Sequence, residues 1–472
     1  MAPAAAGRPE AAGLWSAVRD AVRGVHSYDY TSGAIGRAVL LLAVPMVLEM
    51  AMESIFAVVD VFWVSRLGAD AVATVGLTES LLSLIYTIAM GLSIGVTATV
   101  ARRIGERDRE AATHTAVQGI ALGVLCAVVI GVCGALTAPW LLTVMGAGPG
   151  VLAIGTSYTR IMLGGNIVIL LLFIINAVFR GAGDASLAMR VLWLANGCNI
   201  VFGPLLIFGI GPFPELGVTG AAVATTAGRG IGVLFQIVLL ARGRSRIEIH
   251  RRHLRLVPKL MLRLLRLSGA GMLQVLVSAA SWIGLVRVLA GFGSDALAGY
   301  TIGMRVVLFA LLPSFGLANA AATMVGQGLG AGKPERAERA VRIAGVYNAA
   351  FLSAVGVVFL TAAGPITRIF SPDTAVMAIA AHCLRVVAIG FPLYAFGMVI
   401  SQSFNGAGDT WTPTWLNFLC FWVIEIPLAW MLARPAGMGP TGVFAAITAA
   451  FSLLAVASAL AFRRGKWKLR IV

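Results

Sequence analysis

Charge is what this chain lacks most. Only 12% of its 472 residues are Asp, Glu, Lys or Arg, where a soluble domain carries about a quarter. With 59% hydrophobic residues and a mean hydropathy of +0.91, that shortage excludes an ordinary soluble fold with one core. Cysteine is scarce as well: Cys126, Cys133, Cys198, Cys383 and Cys420 lie in apolar segments and form no CxxC or Cys/His cluster. Neither a disulfide framework nor a metal site is expected, and buried free thiols are the default at such positions. No convergent nucleophile, base or metal cluster points to an enzyme. Acid is the scarcer sign, with 20 Asp and Glu against 36 Lys and Arg. The net +16 does not imply nucleic acid, because the basic residues cluster in short segments between apolar runs.

Long apolar runs are what the chain has instead, each near the roughly 20 residues that a helix needs to cross hydrocarbon. Twelve spans are expected, at 36–64, 72–101, 111–139, 150–179, 185–209, 217–241, 265–290, 296–327, 337–362, 374–404, 410–433 and 439–462. Basic residues fall on alternate connections, as in "ARRIGERDR", "RGRSRIEIHRRHLRLVPK" and "GKPERAERAVR". That asymmetry places both termini in the cytoplasm. Residues 1–34 show no signal-peptide core, so no leader is expected. Leu14, Val18, Val22 and Val25 share a helical face suited to a membrane surface, although a disordered lead-in would read the same way.

The chain also repeats itself. At a shift of 225 residues, "FRGAGD" at 179–184 falls on "FNGAGD" at 404–409, and Ile104-Gly105 falls on Leu329-Gly330. Six spans is an even number, so the halves are parallel repeats about an axis along the membrane normal. The expected fold is an all-α membrane protein of twelve transmembrane helices in two pseudo-symmetric six-helix bundles. A cytoplasmic segment (1–35) precedes the N-lobe (36–241). A basic linker (242–264), the C-lobe (265–462) and a basic tail (463–472) follow. In each "GAGD" the glycines suit a tight turn, and Asp184 or Asp409 a helix N-cap.

One stretch breaks the apolar rule. "VLEMAMESIFAVVDVFW" at 47–63 holds Glu49, Glu53 and Asp60, and an acid at mid-membrane costs roughly 2.5–3.5 kcal/mol on insertion scales. At about 100° per residue the three share a stripe about 40° wide and about 16 Å long, with Pro45 beside it. Such a stripe must face a wet cavity or protein partners, or remain protonated. Glu49 and Glu53, one turn apart, are expected to titrate as a coupled pair. Their counterparts Gln274, Ser278 and Leu285 do not ionise, so the acids specialise the first half alone. Arg180, Arg287, Arg305 and Arg385 are candidates for pairing with the acids or for contacts at the cytoplasmic end.

At this point the chain resembles the multidrug and toxic compound extrusion (MATE) family over essentially its whole length. The pattern lies in "LAVP", "VVDVFWVSRLGADAVATVGL", "GLSIGVTATVARRIGE", "VFRGAGD", "GVTGAAVAT", "MVGQGLGAGKPERA" and "QSFNGAGDTWTP". The resemblance implies a V-shaped pair of bundles in the plasma (inner) membrane that exports bulky cationic small molecules. H⁺ or Na⁺ would be the coupling ion, no other cofactor is implied, and a monomer is expected. It assigns Asp60 to the cation site, Pro45 to bending of the first helix, and Asn176, Asn199 and Thr225 to the surrounding network. Gly203 stands where many relatives carry a second acid. In the C-lobe, Glu425, Gln274 and His382 are secondary candidates, His382 being expected mainly as a satisfied buried histidine. The rival reading within this architecture is a lipid-linked oligosaccharide or lipid II flippase, with a membrane enzyme or a channel further off.

Overall fold

The computed structural model describes residues 14–24, 28–370 and 373–470, with the side chains of Leu14 and Arg251 left aside. After a short surface helix, α1 (Leu14–Arg23), the first half comprises α2 (Ile35–Ser65), α3 (Ala69–Gly105) and α4 (Arg109–Val144). It continues through α5 (Pro149–Gly164), α6 (Asn166–Ala182), α7 (Ala185–Phe208) and α8 (Val218–Ala241). The second half holds α9 (Pro258–Leu289), α10 (Ser294–Gly330), α11 (Pro334–Arg368), α12 (Thr374–Ile389) and α13 (Phe391–Gly406). It ends with α14 (Trp411–Asn417), a π-helical stretch at Phe418–Glu425, α15 (Ile426–Ala433) and α16 (Pro440–Arg463). Eleven helices are long and apolar enough to cross a membrane, or twelve when the bent pair α12–α13 counts as one span. Every backbone polar group in hydrocarbon needs a partner within its own segment, and helices supply that.

The fourth span of each half is interrupted at one glycine, where the sequence pattern implies an unbroken helix. The breaks are at Gly165 and Gly390, which correspond under the 225-residue shift. A Cβ on Gly165 would lie 2.8 Å from Thr226 Cγ2, and one on Gly390 would lie 3.0 Å from Thr448 Cγ2. Glycine is therefore needed for the sixth helix of each half to pack closely there. In the second half the axis turns by 62° at the break.

The halves meet toward the end where α3 and α10 finish. A Cβ on Gly316 of α10 would lie 2.7 Å from the Met46 carbonyl carbon on α2. The repeated glycines Gly105 and Gly330 let the ends of α3 and α10 cross, each against backbone of the other helix. Beyond these contacts α2 exposes Ile55, Val58, Val61 and Phe62, and α3 exposes Glu79 and Leu84. Glu79 has Arg305 of α10 as a charged neighbour, so this exposed face of the first half confronts the second, and we take it as the wall of a cleft between them.

The GAGD aspartates do other work than the N-cap expected of them. Asp184 stands at the N-cap position of α7 but makes no capping hydrogen bond with its side chain. Its Oδ2 instead accepts from Ser245 Oγ (2.8 Å) and the Arg246 N–H (2.7 Å), tying the linker to the bundle. Asp409 likewise pairs with Arg470 of the tail at 3.0 Å. The surface helix α1 buries Ala17 and Ala21 against the protein; Val25 lies outside the described residues. Of the cysteines, Cys383 and Cys420 are buried as expected, whereas Cys133 is exposed on its span, where a thiol is apolar enough to face lipid.

Candidate functional site

Helix α2 is continuous through Pro45, so the three acids do form one stripe. At its inner end Glu49 is 1% exposed. Its Oε1 accepts from Arg180 Nη1 (2.8 Å) and from Asn176 Nδ2 (3.1 Å), both on α6. Asn176 is oriented in turn by Gln236 of α8, whose Nε2 donates to Asn176 Oδ1 (2.7 Å). Charge-assisted bonds of this kind offset the desolvation of a buried carboxylate only when both partners remain.

A second layer lies one turn on. Glu53 Oε2 accepts from Asn196 Nδ2 of α7 (2.9 Å), and Oε1 lies 3.7 Å from Arg229 Nη2 of α8. Arg229 is 4% exposed; its Nη1 donates to the Tyr86 hydroxyl (3.0 Å) and its guanidinium lies over the Phe56 and Tyr86 rings. Asp60 makes no side-chain hydrogen bond or ion pair among the described residues. Its charged neighbours are Glu79 and Arg229. Glu79 in turn has Arg229, Glu53 and, from α10 of the other half, Arg305 as charged neighbours. Glu53, Asp60 and Glu79 thus have two basic neighbours, Arg229 within the first half and Arg305 from the second, so three carboxyl groups stand against two guanidiniums.

Several expected residues come together as the sequence implied, and others do not. Asn176 reaches Glu49, whereas Asn199 donates to Thr225 Oγ1 (2.8 Å) and, among the described residues, hydrogen-bonds none of the three acids. Glu49 and Glu53 pair with different arginines, Arg180 and the shared Arg229, so they are not the bare like-charged pair that their spacing suggests. Of the four candidate arginines, Arg180 supplies one of those partners and Arg305 faces Glu79. The other partner, Arg229, was missed, as were Glu79, Tyr86 and Asn196. Arg229 in "AGRGIG" and Glu79 in "LTESLL" are lone charges within apolar spans, the same signal that drew attention to Glu49.

The second half is poorer in charge. Glu425 is 2% exposed, at the end of the π-helical stretch, with no hydrogen bond or ion pair among the described residues. Gln274, at the position equivalent to Glu49, is buried with Oε1 unpartnered. His382 is exposed on α12 beside the Phe444 ring, not buried as expected, because its face of α12 points away from the core.

Comparison with known proteins sets this geometry in a family. The MatE family model matches residues 45–205 and 270–431, two segments whose starts are 225 residues apart. The chain is 26% identical over 446 residues to the probable multidrug resistance protein NorM of Thermotoga maritima, covering 93% of this chain and 94% of that one. It is 24% identical over 398 residues to the FAD transporter of Shewanella oneidensis, covering 84% and 88%. Among solved structures it is similar to an outward-facing MATE multidrug resistance transporter of the MOP superfamily. The TM-score there is 0.87 at 27% identity, over 94% of this chain and 98% of the other. A membrane-spanning repeat whose two halves are both matched by one family model makes this chain a member of the MatE family of membrane transporters.

Proposed function

We propose that the protein is a multidrug exporter that exchanges H⁺ or Na⁺ for bulky cationic compounds across the plasma (inner) membrane, acting as a monomer by alternating access. The observation that carries this reading is the gathering of Glu53, Asp60 and Glu79 about Arg229, with Arg305 of the other half facing Glu79. A cleft wall of this kind attracts a cation. A coupling ion on Asp60 removes part of the negative charge that holds the drug. Each ligand thereby weakens the other, which is exchange by differential affinity. Arg229 is placed to respond, because neutralising one acid frees it to turn toward another.

The basic connections put both chain ends on the cytoplasmic side, so a cleft open at the far end faces outward. The relatives named for multidrug resistance support this reading. A flippase or a carrier of anionic cargo is the second reading, kept by the Shewanella relative named for FAD; the acid-rich wall counts against it. The test is drug export in inverted vesicles under separately imposed pH and Na⁺ gradients. Asp60→Asn is expected to abolish gradient-driven export of ethidium while leaving part of its binding. Export by Asp60→Asn equal to the parent under both gradients would overturn the assignment.

A further inference from the structure

We propose that the end of the molecule opposite the cleft carries a binding site for a phosphate-bearing anion, built on Arg107, Arg109 and Arg246. A cavity of about 320 Å³ lies there, at the small end of the range for small-molecule sites. Its walls come from four parts of the chain: Asp29 and Thr31 before α2, Arg107 of the turn after α3 with Arg109 at the start of α4, Arg246 of the linker, and Gln327 of α10. Both halves and the segment that joins them to the N-terminal region therefore meet on one small volume.

The charge there is unbalanced and partly unspent. Of the three arginines on the cavity wall, Arg246 is paired with Asp184, which leaves Arg107 and Arg109 against Asp29. Arg246 is engaged, donating to the Tyr28 carbonyl (2.5 Å) and pairing with Asp184 at 3.6 Å. Arg107 reaches Asp29 only at 3.9 Å, and Arg109 has no side-chain partner among the described residues. Asp29 itself is occupied by Thr31, whose N–H and hydroxyl donate to Oδ1 at 2.8 and 2.6 Å.

The backbone supplies an independent observation. Arg107 has φ of 63°, the one non-glycine at positive φ among the described residues. It occupies the left-handed position of the turn that closes α3, where the Asp108 N–H donates to the Arg103 carbonyl at 3.0 Å. Glycine is the usual residue at such a position, because a side chain there crowds the backbone. The equivalent turn after α10, 225 residues on, has Gly332 at φ 68°. One half uses glycine as the geometry asks; the other holds a strained arginine that borders the cavity, its side chain 86% exposed. Strain kept against an available alternative marks a functional position. A phosphate oxygen between Arg107 and Arg109 would take donors that the fold leaves free. It would also bridge both halves at their closed end.

The phosphate can belong to a soluble compound or to a lipid headgroup, and two arms separate these. Full-length protein in phosphatidylcholine nanodiscs is titrated with inorganic pyrophosphate by calorimetry. Protein in phosphatidylglycerol nanodiscs, without free anion, is read by native mass spectrometry for retained lipid. One-to-one saturable binding is expected in at least one arm, weakened at least tenfold by Arg107→Gly and by Arg109→Gln. Ligand-free Arg107→Gly is expected to melt no lower than the parent, since it loses only strain. Binding in neither arm, affinity unchanged in both variants, or a lower melting temperature for ligand-free Arg107→Gly would overturn the proposal.

Discussion

At the scale of single residues, the first half is governed by where its two buried arginines find carboxylates. Arg180 and Glu49 exchange a 2.8 Å bond away from water, so removing either one leaves an uncompensated buried charge. Glu49→Gln and Arg180→Met alone are each expected to destabilise the protein by about 3–5 kcal/mol, read as a lower thermal midpoint in detergent. The double variant Glu49→Met with Arg180→Met should recover much of that loss, because it buries no unpaired charge. A midpoint for the double variant as low as the sum of the singles would mean that the pair is not an isolated unit. Gly203 calls for the opposite expectation. A Cβ there would meet nothing closer than Trp63 Cδ1 at 3.8 Å, and Trp63 Nε1 is buried without an acceptor. Gly203→Asp is thus expected to fold normally and to change the ion dependence of transport. Aggregation on purification, or an unaltered response to pH and Na⁺ gradients, would count against it.

At the scale of elements, the broken fourth spans show how little sequence is needed to bend a helix. Each break is one glycine facing one threonine of the sixth helix. Gly390→Val is expected to cost about 1–3 kcal/mol by overpacking against Thr448. Thr448→Ser should restore part of this, because it removes Cγ2 but keeps the hydroxyl bond to the Val386 carbonyl (3.0 Å). Failure of the serine to rescue stability would place the strain elsewhere than at the Cγ2 contact. The two halves also differ in an element that the repeat does not announce. Phe418–Glu425 is π-helical, whereas its counterpart in α7 is regular, and π-helical turns are frequent at functional sites. That stretch is the reason Glu425 keeps its standing as a secondary candidate.

At the scale of the whole molecule, the closed end is fastened by the segment ahead of α2. Arg336 of the second half donates to the carbonyls of Tyr30 (3.0 Å), Gly33 (2.8 Å) and Ser32 (2.6 Å), and Lys333 to that of Thr31 (2.9 Å). Tyr30 reaches the other way, donating from its hydroxyl to Gly183 of the first half (3.1 Å). The segment is therefore a strap across both halves. Arg336→Ala is expected to weaken closure at this end and to shift molecules toward a state whose far cleft is narrower. Spin labels at Ala73→Cys and Asp295→Cys, in a background without the five native cysteines, would report that shift as a shorter distance population. An unchanged distribution would show that the helix crossings at Gly105 and Gly330 hold the closed end without the strap.

The sequence by itself determined the helical membrane architecture, because spanning hydrocarbon demands long apolar runs and a second copy of the same register demands a second bundle. It also singled out α2, because charge in an apolar span is costly enough to be visible in one sequence. Arg229 and Glu79 carried the same signal and could have been read with it. Partnership was not legible. Which arginine meets which acid depends on rotations and crossings of α2, α3, α6 and α8 that many apolar sequences would permit equally. Residues as distant as Glu53 and Arg229 become neighbours only once the bundle has packed. Nor could spacing reveal that Asp184 binds the linker instead of capping α7, since a loop's return path is set by what it finds on the folded surface. The strain at Arg107 belongs to the same class: the residue is plain in the sequence, but its left-handed backbone exists only where α3 ends against α10.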